Sequence, residues 1–478
     1  MNFVSDQFIC FLVATWLLFL IMPATQRWLL LLIASYIFYG TWSIPFIGVI
    51  LLSTTVDYVA SRIIYNNDSQ SIKRTALSLA IFANILILGV FKYFNFFVQE
   101  QAKLCGIFGW NVPLPHQLNI VLPLGISFYT FEAISYLVDT YRGAKPAPNW
   151  LRYNFYIMYF PHLISGPIVR FNELWTQYEH TIERPSIQRI LKGVELIVLG
   201  YFFKTVIANL CAMIADPVYA APTGAGTLTI YCAALAFLTQ LYMDFLGYTH
   251  IARGVSLLFN IELPLNFNHP FHANHVANFW KRWHISLSRW LQDYIYVPLG
   301  GNKSTLRNVC ITFLIAGLWH GAGWNYIIFG LYFGILIGFY HFYSRWRAAL
   351  FERSEAIIEN TIYKQAAYFV TFWLVLVGFV IFRAPDITTI GVFVHKMINV
   401  PSLIHDVVSQ LMGHSFLEIG TCLVCLLVLL CGPVIAGLYQ QLFKPMPYWL
   451  KVQMASATVV LCWVMCSAQV KQFIYFQF

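Results

Sequence analysis

Apolar residues fall in runs of about twenty or slightly fewer, beginning near Phe8, Trp28, Ile44, Thr75, Ile120, Gly193, Leu228, Val309, Trp324, Ala366, Phe416 and Ala455. The hydrocarbon core of a bilayer takes about 20 residues of helix, so the pattern predicts an all-α polytopic membrane protein with about 11–12 transmembrane helices. Only short polar segments separate the runs, and no long polar or low-complexity linker divides them. The chain therefore reads as a single membrane domain over residues 1–478. The run from Phe8 to Met22 has no basic leader and no obvious cleavage site, which speaks against a removable signal peptide.

Lys and Arg in short loops prefer the cytoplasmic side and orient these helices. Arg27 follows the first run, Thr41 to Ser43 carries no charge after the second, and Arg62, Lys73 and Arg74 follow the third. This alternation puts the N-terminus outside. Arg142, Lys145 and Arg152 then lie inside, but a crossing at Tyr153 to Val169 would force Arg170, Arg184, Arg189 and Lys192 outside. A re-entrant segment resolves the conflict, because Pro161 and Gly166-Pro167 break a helix, and irregular backbone at membrane depth must be buried in protein or line a wet cavity. The Gly/Pro-rich stretch from Asp216 to Gly226 has no basic residue and reads as external. Arg253 to Arg307 lies inside. Within it, Trp280, Trp283, Leu287, Trp290 and Leu291 fall at helical spacing on one face, with Lys281, Arg282, Arg289 and Asp293 elsewhere. That pattern predicts one interfacial helix anchored by its Trp residues.

Composition agrees with the pattern: 59% of residues are hydrophobic and only 10% charged, against roughly 25% charged in a soluble domain. The net charge of +9 is spread over short loops, which is membrane topology and not a nucleic-acid surface. The ten Cys residues lie mostly in apolar runs. The pairs Cys422/Cys425 and Cys462/Cys466 lack His or acidic neighbours that would complete a metal site, so they read as small buried hydrophobes.

Most of the thirteen His residues lie in loops, among them His116, His180, His395, His405 and His414. His284 and His320 differ. His320 ends the apolar run Val309 to Trp319, and an imidazole there needs a partner or a water-filled cavity. It is either a structural His bonded between helices or a neutral base able to take a proton from a hydroxyl. Gly321 and Gly323 beside it would let a substrate approach closely.

The strings Asn266-Phe-Asn-His-Pro-Phe, Phe279-Trp-Lys-Arg-Trp-His-Ile-Ser-Leu-Ser-Arg-Trp-Leu and Gly317-Leu-Trp-His-Gly-Ala322 resemble the core of the membrane-bound O-acyltransferase superfamily. Pro298-Leu-Gly-Gly-Asn302 resembles its bacterial polysaccharide O-acetyltransferase branch, the one that includes alginate acetylation proteins. Leu122 to Phe131, Gly166 to Arg170, Ile381 to Ala384 and Phe473 to Phe478 agree with that branch. Relatives usually carry Ser at the position of Leu246 and Asp at that of His250, so the chain departs from the pattern there.

The resemblance implies helices around a central tunnel, a core motif region at 240–330, and His320 and His284 as catalytic residues. It also implies acetyl-CoA as a donor that binds transiently from the cytoplasm, with no permanently held cofactor. The acceptor is a polysaccharide outside the bacterial inner membrane, with an extracytoplasmic acetyltransferase as partner. In this reading His320 is the general base, and His284 or a backbone N–H stabilises the oxyanion. Lys281, Arg282, Arg289 and Lys303 are candidates for the CoA phosphates, or are simply anchoring charges. The rivals are a transferase of longer acyl or D-alanyl groups, and a glycan or acyl-carrier transporter in which His320 gates protons. The transporter reading expects internal repeats, and the Trp-His-Gly and Gly-Pro segments have no second copy.

Overall fold

The computed structural model describes residues 1–110, 121–164, 166–350, 361–413, 416–438, 441–442 and 445–467. Among them, every regular element is helical. His116, His414, Ser165 and the Phe473 to Phe478 terminus lie outside the described residues. Six helices are long and apolar enough to cross a bilayer: Ile44–Asn66, Gln70–Phe108, Ile187–Ala220, Thr227–Leu258, Trp324–Trp346 and Thr361–Arg383. The pair Ile387–Ile398 and Val400–Met412, bent by 73°, makes a seventh if it is one span. Shorter apolar helices occupy Asp6–Ile21, Arg27–Gly40, Leu417–Leu430 and Leu450–Met465. The run near Ile120 becomes the helix Ile126–Tyr141, twelve of whose sixteen residues are buried, and the run near Val309 becomes Thr305–His320. Both are short for a span because polar residues interrupt the apolar pattern.

Contacts divide the chain into two compact units, Met1–Ile197 with Tyr248–Pro264, and Val198–Gly247 with Leu265–Phe478. In the first, the chain breaks as its prolines and glycine require. The helix Trp150–Met158 ends, Phe160–Leu163 makes one turn, and the backbone from Gly166 to Arg170 is irregular. This stretch is buried, with His162 only 1% exposed. Its polar groups are met by side chains: Glu132 Oε1 accepts from Val169 N–H at 3.1 Å and lies 3.2 Å from His162 Nδ1. Tyr156 donates its hydroxyl to Val169 O at 2.7 Å. Irregular backbone survives at this depth because protein replaces water as its partner. The expected break is thus enclosed by protein.

In the second unit the helices Thr305–His320 and Trp324–Leu350 form a hairpin whose surfaces meet through glycine. A Cβ on Gly330 would strike Phe313 O, one on Gly334 would lie 2.8 Å from Cys310 Cα, and one on Gly317 would strike Tyr326 O. Gly330 and Gly334, four residues apart, share one helix face, so the backbones approach as small residues permit in membrane helix pairs.

The interfacial helix expected across Asn278 to Leu291 is not continuous. It forms two short helices, Val276–Trp280 and Ile285–Leu291, broken where His284 takes a left-handed conformation at φ 44°. Its Trp residues do not anchor at an interface either: Trp280, Trp283 and Trp290 are all buried. Trp283 packs against Phe267 at 5.1 Å and Phe379 at 4.9 Å between ring centroids, so aromatic core packing replaces the interfacial role.

Candidate active site

His320 is the last residue of the Thr305–His320 helix and is 4% exposed. The glycine contacts of the hairpin set its depth. Its ring lies 4.9 Å from that of Trp319, 5.2 Å from Phe382 and 5.9 Å from Phe329, each edge-on. Gly321 and Gly323 do not open a path for substrate: a Cβ on Gly321 would collide with the Tyr326 ring, and one on Gly323 would lie 2.5 Å from Asn325 Oδ1. These glycines let the next helix fold back closely, and the space they free is filled by protein.

His284 is fully buried in the turn between the two short helices. Its backbone is clamped by an adjacent stretch running antiparallel to it, in which Ile285 N–H donates to Asn266 O at 2.9 Å and Asn268 N–H to Arg282 O at 2.9 Å. Asn266, itself fully buried, lies with Oδ1 3.2 Å from His284 Nδ1 and accepts from the Ser286 N–H at 3.3 Å and hydroxyl at 3.0 Å. Phe245 meets the His284 ring edge-on at 4.8 Å. Burial pushes the imidazolium pKa down from 6.5 to about 3, so His284 is neutral at ordinary pH. The Trp319 ring lies 5.7 Å from His284 and 4.9 Å from His320, so one indole touches both imidazoles.

A cavity of about 340 Å³ opens against the helix that ends in His320, lined by Lys281, Ser288, Gln292, Tyr296 and His341 among polar groups and by Trp280, Phe313 and Ala316 among apolar ones. Val309, Thr312 and Ala316 all line it. They follow one face of the helix that ends in His320, and Ala316 lies one turn before that residue.

Residues 73–362 match the model of the family described as MBOAT, membrane-bound O-acyltransferase family. The chain belongs to that family. A probable alginate O-acetylase AlgI of Azotobacter vinelandii is 39% identical over 400 residues, covering 81% of this chain and 76% of the relative. A peptidoglycan O-acetyltransferase of Helicobacter pylori is 34% identical, covering 76% and 71%. A teichoic acid D-alanyltransferase of Bacillus subtilis is 30% identical, covering 63% and 76%. The chain is thus a multi-pass membrane O-acyltransferase.

Within this acyltransferase, the structure brings His320 and His284 together against Trp319 and places Lys281 on the cavity wall. Arg282 is engaged structurally, donating through Nε to Asn278 Oδ1 at 3.0 Å. Arg289 and Lys303 are exposed and do not line the cavity, although Asn302 beside Lys303 does. Sequence reasoning held Asn266 and Trp319 only inside the motif strings and gave neither a role. It also passed over the buried pair of Lys204 Nζ and Asp244 Oδ1, 2.6 Å apart, whose members lie 40 residues apart in sequence.

Proposed function

We propose that this chain moves acetyl groups from acetyl-CoA on the cytoplasmic side of the bacterial inner membrane to hydroxyls of an extracytoplasmic polysaccharide, directly or through a partner acetyltransferase. The N-terminus lies on the periplasmic side in this reading. The observation that carries it is the cavity wall running along the helix face to Ala316, one turn from His320, with Lys281 on its lining. A pantetheine arm with a short acyl group suits such a space, and a cation on its wall suits phosphate. The names of the alginate and peptidoglycan relatives support acetyl as the group and a glycan as the acceptor.

In the reaction the acceptor hydroxyl attacks the thioester carbon, and its proton passes to His320, which is the general base. The ester C–O bond forms, the C–S bond breaks, and the leaving thiolate takes the proton back from His320 as free CoA. The aromatic walls around His320 exclude water, which would otherwise hydrolyse the thioester. Mass spectrometry of surface polysaccharides from cells with and without this protein tests the proposal. O-acetyl groups should vanish from one glycan when the protein is absent, and an unchanged acetylation pattern overturns the acceptor assignment.

A further inference from the structure

We propose that Asn266 is a positioning residue for the transfer reaction: it holds His284 in the tautomer that carries its proton on Nδ1, leaving the lone pair on Nε2. The orientation of the amide follows from one contact. The Ser286 backbone N–H faces Asn266 at 3.3 Å, and a backbone N–H can only donate, so the atom opposite it is oxygen. The Ser286 hydroxyl reaches the same atom at 3.0 Å, and His284 Nδ1 at 3.2 Å. An amide oxygen can only accept, so Nδ1 of His284 carries the hydrogen. A flipped amide would turn its NH₂ against that N–H and break the cluster. The left-handed backbone at His284 is costly for a residue with a Cβ and persists only where its surroundings over-determine it. The paired backbone contacts of Asn266 and Asn268 supply that constraint.

The consequence concerns the division of labour between the imidazoles. A neutral His284 protonated on Nδ1 offers Nε2 as an acceptor, so it aligns a hydroxyl and does not donate to the thioester oxyanion. The oxyanion donor is then another group. This inference rests on the reading of His284 as part of the transfer site.

The test uses the full chain in lipid bilayers with isotope-labelled histidine, its His284 signal identified by loss in His284→Gln, and read by magnetic resonance without substrate. At neutral pH the signal should report a protonated Nδ1 and a bare Nε2. Asn266→Ala should abolish that preference and lower kcat by about 10²-fold with KM for the donor nearly unchanged, as misorientation of a reacting group does. Asn266→Asp keeps the accepting oxygen and adds charge, so it should retain the tautomer and move the acidic limb of the pH–rate profile upward. A bare Nδ1 in the wild type, an unchanged tautomer in Asn266→Ala, or an unmoved limb in Asn266→Asp would overturn the proposal. Because the resonance is read without substrate, loss of acetyl transfer by the wild type would refute the donor assignment and leave the tautomer result standing.

Discussion

Gly317→Ala tests whether hairpin packing sets the position of His320. The added methyl would overlap Tyr326 O and lie 3.1 Å from the Tyr326 carbonyl carbon, where ordinary contact begins at 3.4 Å. Both are backbone atoms and cannot rotate away, so the helices must part three residues before His320. Overpacking costs about 1–3 kcal/mol, and alanine returns about 1 kcal/mol of helix propensity. The variant should therefore fold with a modest loss of stability. Its rate should suffer more, since misplacing a reacting group by about 1 Å can cost about 10²-fold. Gly334→Ala gives the contrast: its methyl, 2.8 Å from Cys310 Cα, meets backbone too, but ten residues of helix separate Cys310 from His320. It should lose stability comparably and keep more of its kcat. Gly420→Ala, with nothing within 4 Å, serves as control. Thermal stability in lipid and acetyl-transfer kcat and KM at matched membrane expression provide the assay. Wild-type kcat in Gly317→Ala, or equal losses of kcat in the Gly317 and Gly334 variants, would refute the reasoning.

Other predictions follow from the same geometry. His320→Gln should fail like His320→Ala because it cannot take a proton, general base catalysis being worth about 10²- to 10⁴-fold, while His284 replacements should cost less; equal losses by transfer assay would contradict the ranking. Ala316→Phe fills the cavity one turn from His320 and should raise the donor KM in steady-state kinetics, whereas an unchanged KM would move the donor elsewhere. With His284 held at a pKa of about 3 against 6.5 unfolded, the unfolded chain binds more protons between those values, so the stability it contributes is complete above about pH 6.5 and falls on acidification. Melting of the wild type should be more acid-sensitive than that of His284→Gln, and parallel curves would contradict it. Single cysteines near Ser71 and Lys303, in a background lacking native Cys, should be protected from an impermeant thiol reagent in intact cells and one near Thr223 labelled; labelling near Lys303 would reverse the orientation.

Long apolar runs made the helical membrane fold readable, since each helix meets its own hydrogen bonds and only length and apolarity are needed. The break at Pro161 to Pro167 was readable for the same local reason. The break at His284 was not, because the Trp spacing from Trp280 to Trp290 is helical and the force that breaks it comes from Asn266, 18 residues earlier. Periodicity carries no record of such a clamp. His320 stood out because an imidazole ends an apolar run, whereas Gly321 and Gly323 were misread as clearance. Their role is visible only once the Tyr326 ring is seen against Gly321 and the Asn325 side chain against Gly323. The cations were the least legible group, since Lys281 and Arg282 are neighbours in sequence yet one lines the cavity and the other braces Asn278.

The central claim, that His320 activates a hydroxyl against an acetyl thioester, is tested most directly by release of free CoA from acetyl-CoA by the purified protein in lipid, with and without a glycan acceptor. Wild-type protein should release CoA in proportion to acetylated acceptor, and His320→Ala, folded and equally abundant, should release it at the uncatalysed background. Acceptor-dependent release that persists in His320→Ala would contradict the account.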